Sequence, residues 1–98
     1  MNPVALEFHP DAIAEARAAR EWYTYQNPAA GEAFVAELDQ AIALIGDHPN
    51  RWPSYDHRTR RYLLRRFPYS IIYRAEEHRI IVVAVAHGRR KPGYWRKR

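Results

Sequence analysis

Residues 60–87 read "RRYLLRRFPYSIIYRAEEHRIIVVAVAH", and the way this stretch divides decides the fold. Tyr62–Leu64, Tyr69–Ala75 and Arg79–His87 are three runs rich in β-branched and aromatic residues, side chains that fit a pleated, half-buried surface. Phe67-Pro68 and Glu76-Glu77-His78 separate them. Links this short join strands as consecutive antiparallel hairpins. The last run is apolar on both faces, which predicts a central strand covered on at least one side.

Upstream the period changes. Phe34, Leu38, Ala41, Ile42 and Ile45 fall at i, i+4, i+7, i+8 and i+11, the spacing of an amphipathic helix. Gly46 is placed to cap that helix, and Pro49 blocks any continuation. A second helix precedes it in the alanine-rich "DAIAEARAAREWYTYQ", a composition that propagates well as helix. Ala12, Ala16, Ala19 and Tyr23 form one stripe of it, flanked by Ile13 and Trp22. Pro10 suits its first position, with Asp11 favourable in the first turn. Asn27-Pro28 ends one helix and starts the other, with Asn27 as N-cap. Val4–Phe8 alternates and reads as a first strand. The predicted order is β-α-α-β-β-β, an α+β two-layer domain over residues 1–98, with a helical hairpin packed on a mainly antiparallel sheet. Only "DHPNRWPSYDHRT", residues 47–59, is a long irregular connection, of the kind that often carries function.

Composition narrows the functional classes. With 98 residues, 47% hydrophobic and 28% charged, the chain suits one folded domain and argues against wholesale disorder. It has no cysteine, so neither disulfides nor thiolate metal sites hold it together. The first residues lack the pattern of a secretory signal, and no apolar segment reaches the roughly 20 residues of a membrane span. A soluble, cytoplasmic protein is expected.

Charge is distributed unevenly. Residues 1–50 carry eight acids against Arg17 and Arg20, a net −6, whereas residues 51–98 carry fourteen Lys and Arg against three acids, a net +11. A polyanionic partner for the second half follows, either nucleic acid or an acidic protein. Arg61 and Arg65 share a strand face with Leu63, while Arg60 and Arg66 share the other with Tyr62 and Leu64.

The closing "VAHGRRKPGYWRKR", residues 85–98, concentrates the candidate chemistry. His87 ends the buried-looking strand and precedes Arg89, Arg90 and Lys91. An imidazole beside phosphate-binding arginines suits acid–base work on a ribose 2′-hydroxyl; a hydrogen bond at a strand end is the simpler role. Tyr94 and Trp95 lie among cations, as in single-strand recognition, or pack back onto the sheet as a plug. A concave face built from Arg61, Arg65, Arg66, Arg89, Arg90, Lys91 and Arg96 would hold a phosphate and stabilise charge on it. The five histidines lack metal-ligand spacing, so no metal or other cofactor is implied. Ser70 has no base near it, and Asp56 has no paired acid.

Four stretches together resemble one family: "EWYTYQNPAAGEAFVAELDQAI", "HPNRWP", "RRYLLRRFPYSIIYRA" and "VVAVAHGRRKPGYWRKR". The chain looks like a toxin of type II toxin–antitoxin systems, in the RelE/ParE superfamily of plasmid stabilisation proteins. The resemblance implies a compact toxin held inactive by a cognate antitoxin that wraps it with a helix and an extended segment. RelE-like members cut mRNA on the ribosome without metal. By that analogy His87, Tyr94, Arg89 and Arg65 would be catalytic, with Arg61, Arg66, Arg90, Lys91 and Arg96 on the RNA. ParE-like members share the fold and inhibit DNA gyrase. The nuclease is the leading expectation here and gyrase the alternative. Ser70 stands after Tyr69 where the nuclease pattern has an arginine, and "FPYSIIY" with a histidine before arginines also occurs on the ParE side.

Overall fold

Asn27 is the hinge of the helical layer. Its side chain caps the helix that follows, accepting from the Ala29 N–H at 2.9 Å, and its own N–H closes the preceding helix on the Tyr23 carbonyl. The structure, a computed structural model, describes residues 5–98. In it α1 spans Pro10–Gln26 and α2 spans Pro28–Asp47. The two cross tightly at Gly31, where an added Cβ would come within 3.0 Å of the Thr24 Cα. α1 begins on an N-cap that sequence reading did not single out: the His9 Nδ1 accepts from the Asp11 N–H at 3.0 Å. Gly46 is part of the last turn of α2, and His48 is the C-cap instead. Helical geometry continues there because Pro49 is still three residues away and forbids only its own neighbourhood.

The strands are β1 (Ala5–Phe8), β2 (Ser54–Tyr55), β3 (Thr59–Leu63), β4 (Tyr69–Ala75) and β5 (Arg79–His87). They form one sheet in the order β1-β5-β4-β3-β2. β1 runs parallel to β5, and the other pairs are antiparallel. The fold is the expected α+β arrangement, with β5 an interior strand between β1 and β4. Val4, expected in the first strand, lies outside the described residues. The expected irregular connection holds the short strand β2. It joins β3 through a turn with His57 and Arg58 at φ 59° and 61° and the Thr59 N–H on the Asp56 carbonyl.

One irregularity in β5 sorts the core. Ile72 faces Ala84 but Tyr73 faces Val82, so Val83 is an extra residue, a β-bulge. Ile80, Val82 and Val85 therefore point at the helices with Ile71, Tyr73, Phe34 and Ile45. Val83, Ala84 and Ala86 point to the other side, with Ile72 and Trp95. Past the bulge, the inward parity moves from even to odd positions, and His87 inherits the helix-facing side. Tyr73, fully buried, donates its hydroxyl to the Pro49 carbonyl at 2.7 Å and ties the connection after α2 to the sheet.

Glu37 is the exception on the apolar stripe of α2. It is only 6% exposed, and its carboxylate accepts from the backbone N–H groups of Arg65 and Arg66 and from the Arg66 guanidinium. Burial raises its pKa, but these donors outweigh burial and hold it below the usual carboxylate range. Stability from Glu37 is thus fully present above the unfolded-state pKa and is lost as pH falls through the lower folded value. Glu37→Gln should cost about 1–3 kcal/mol near neutrality. In urea titrations at a series of pH values, the gap from the parent protein should close on the acid side.

Candidate functional site

The parallel pairing of β1 ends where the His9 N–H donates to the Val82 carbonyl. Beyond that point the outer edge of β5 has no strand beside it. An exposed row of peptide groups needs partners, and here α1 and the tail supply them. The Glu15 carboxylate on α1 accepts from the Val85 N–H at 3.0 Å, and the Arg98 guanidinium donates to the Val83 carbonyl at 3.0 Å. Arg98 and Glu15 pair directly through two hydrogen bonds, at 2.8 and 3.1 Å. Tyr94 donates its hydroxyl to the same carboxylate at 2.7 Å. Every oxygen of Glu15 is thereby occupied. Asp11, one helical turn earlier, adds a second carboxylate 3.5 Å from Arg98, and Arg74 donates to the Arg98 carbonyl.

The tail between His87 and Arg98 reaches that anchor by successive turns. The Arg90, Tyr94, Arg96 and Arg98 N–H groups each donate to the carbonyl three residues back. Gly88 is held by its N–H on the Pro68 carbonyl at 2.7 Å, and Gly93 supplies a positive φ of 85°. His57, from the β2–β3 turn, presses against Gly93, where an added Cβ would lie 3.1 Å from Nε2. Trp95 is the expected plug: 2% exposed, on the far face of the sheet, stacked on Tyr55. Its indole N–H has no partner.

Some of the expected site residues meet and others do not. His87, Arg90 and Tyr94 line one cavity of about 260 Å³ with Glu15, Ala18, Ala19, Trp22, Tyr69 and Val85. The His87 Nδ1 accepts from the Arg89 N–H at 3.0 Å, the simpler of the two roles expected for it, and its Nε2 has no hydrogen bond among the described residues. Arg90 lies over the Tyr94 ring, 3.9 Å from its centroid. Tyr69 meets the His87 ring edge to face. Arg89, Lys91 and Arg96 are exposed along the tail.

The strand arginines are elsewhere. Arg61 sits on the far face, over the Tyr55 ring at 4.3 Å. Arg65 and Arg66 lie past the end of β3, in the turn before β4, so strand alternation does not place Arg65 beside Arg61. They line a separate cavity with Ala36, Glu37 and Gln40 of α2. A single basic concavity is therefore corrected to three separate sites. The physical reason is that β3 stops at Leu63 and Glu37 pulls the next backbone N–H groups toward the helices. Several further cations serve the fold: Arg60 donates to the Trp52 carbonyl, and Arg79 pairs with Glu76 and Glu7.

Residues 6–92 match the family described as the ParE toxin of type II toxin–antitoxin system, parDE. The chain belongs to the ParE toxin family. A solved structure, the chromosomal ParDE TA system from P. aeruginosa, aligns with a TM-score of 0.75 at 19% identity, covering 86% of this chain and 95% of that one. That likeness bears on the fold. No curated protein matches the chain. Membership in the ParE family implies an antitoxin partner, and no helix among the described residues is long and apolar enough to cross a membrane.

Glu15 is the site residue that sequence reading missed. Nothing in "DAIAEARAAR" separates it from a solvated helix acid, since its partners are 70 to 83 residues away. Its role marks Tyr94 as a structural donor as well. Burial first, then the Glu15 hydrogen bond and charge, push the Tyr94 phenol far above its ordinary value. At neutral pH it keeps its proton. Glu15→Ala should strand Arg98 and the β5 edge, costing about 3 kcal/mol. Limited trypsin digestion should then cut after Arg89 and Arg90 faster than in the parent, before global unfolding.

Proposed function

We propose that this ParE-family toxin arrests growth by binding and inhibiting DNA gyrase, without bond-breaking chemistry of its own, and that its cognate antitoxin holds it inactive. The observation that carries this reading is the family match over residues 6–92, since ParE-type toxins usually inhibit gyrase. The distribution of cations supports it. A nuclease of the expected kind would gather Arg61, Arg65 and Arg66 around His87 and Tyr94, and the three lie at two other sites. Tyr94 is engaged with Glu15 and is a poor proton acceptor. What this toxin presents to a partner is a tail rich in cations and latched to α1.

The ribosome-dependent nuclease is the second reading. It is favoured by one feature, the meeting of His87, Arg90 and Tyr94 around a cavity. On that reading His87 Nε2 would move the proton, with Arg89 and Arg90 holding the phosphate and Lys91 and Arg96 flanking it.

Purified toxin freed from its antitoxin should block supercoiling by gyrase and leave translation of a reporter mRNA intact. In cells the expected sequence is DNA damage signalling before any loss of protein synthesis. Ribosome-bound transcripts cut by the toxin, with gyrase unaffected and cutting abolished by His87→Ala, would replace this reading by the second.

A further inference from the structure

The cavity beside His87 has donors without acceptors. The charges around it come from three elements. From α1, Glu15 is neutralised by Arg98 and saturated by Tyr94 and Val85. From β5, His87 has spent Nδ1 on the Arg89 N–H, and its Nε2 has no hydrogen bond among the described residues. From the tail, Arg90 is exposed and stacked on Tyr94, and its guanidinium meets no carboxylate among the described residues. A planar fork pre-oriented on an aromatic face suits a carboxylate.

The walls are small and apolar. Ala18, Ala19 and Val85 provide room, and Tyr69 and Trp22 close the sides. At about 260 Å³ the space takes one or two amino-acid side chains, less than the usual small-molecule pocket. Trp22 is 58% exposed and Tyr25, one turn further along α1, is 88% exposed. Exposed tryptophan and arginine at a recess, here Trp22 and Arg90, are residue types that dominate protein–protein hot spots.

We propose that this recess is a specificity pocket for the antitoxin, receiving an acidic side chain on Arg90 and His87 beside an apolar side chain packed against Trp22 and Ala18. The inference rests on the family's toxin–antitoxin pairing and is independent of whether gyrase is the target. Arg89 and Lys91 at its rim favour an acidic segment over a basic one and raise the encounter rate.

The test is the affinity of the purified antitoxin encoded with this toxin, measured by calorimetry against a set of folded variants. Arg90→Gln and His87→Gln should each weaken binding, Arg90→Gln by about 10- to 100-fold as expected for loss of a charge-assisted hydrogen bond. Ala18→Leu, which fills the recess and leaves every charge in place, should weaken it comparably. Trp22→Ala should weaken it as well, and in the parent complex Trp22 emission should shift to the blue. Arg79→Ala removes a cation from the opposite end of β5 and should leave affinity within about twofold. Equal losses from Arg79→Ala and Arg90→Gln would mean undirected charge attraction and overturn the pocket. Full affinity in Ala18→Leu would do the same. Full antitoxin affinity in both Arg90→Gln and Trp22→Ala would overturn the antitoxin as occupant. No gyrase or ribosome enters the binding measurement, so failure of the gyrase reading and failure of this one are separate results.

Discussion

A largely buried carboxylate at the unpaired edge of β5 organises the C-terminal end of this molecule. β1 covers β5 only as far as Val82, and the bulge at Val83 follows at once. The peptide groups of Val83 and Val85 would otherwise face a gap between the sheet and α1. Glu15 and Arg98 meet them and each other. Neither charge is tolerable there alone, because a buried ion without its partner costs several kcal/mol. Together they seal the edge and fix the tail, and Tyr94 is carried into place as a third member.

The same arrangement divides the molecule's cations by role. Arg98, Arg79 and Arg60 are spent on the fold, and Arg66 on Glu37. Among the described residues Arg89, Arg90, Lys91 and Arg96 of the tail enter no ion pair, and Arg90 lies over the Tyr94 ring beside the recess. These ion pairs leave the net charge of +5 unchanged, but they decide where the uncompensated cations lie. Cations committed to the fold are thus distinct from those that stay exposed on the tail.

Glu37 repeats the device on the other helix. There a single acid on the apolar stripe of α2 holds the backbone at the end of β3 and sets where the hairpin turns. The consequence reaches function, because it takes Arg65 and Arg66 out of the sheet and away from Arg61. Two acids, one per helix, thus decide where the arginines of the basic half can be.

Much of the architecture was written in local pattern. The 3.6-residue stripe from Phe34 to Ile45, Asn27 before Pro28, and the three β-rich runs after Thr59 each act within a few residues, so the α+β order and the helical hairpin were legible without coordinates. Trp95 as a plug was legible as one of two options, since Pro92-Gly93 allows the chain to fold back. The rest depended on pairing between elements, at Glu15 across more than half the chain. Glu15 looks like any solvated helix acid until Arg98 and Val85 are brought to it. The parity of β5 is unreadable because Val83 and Ala84 are both apolar, and only pairing with β4 reveals which one is extra. Sequence determined which elements form; the tertiary structure alone decided which charges are neutralised and which remain for a partner, because that depends on the desolvation and long-range pairing that folding imposes.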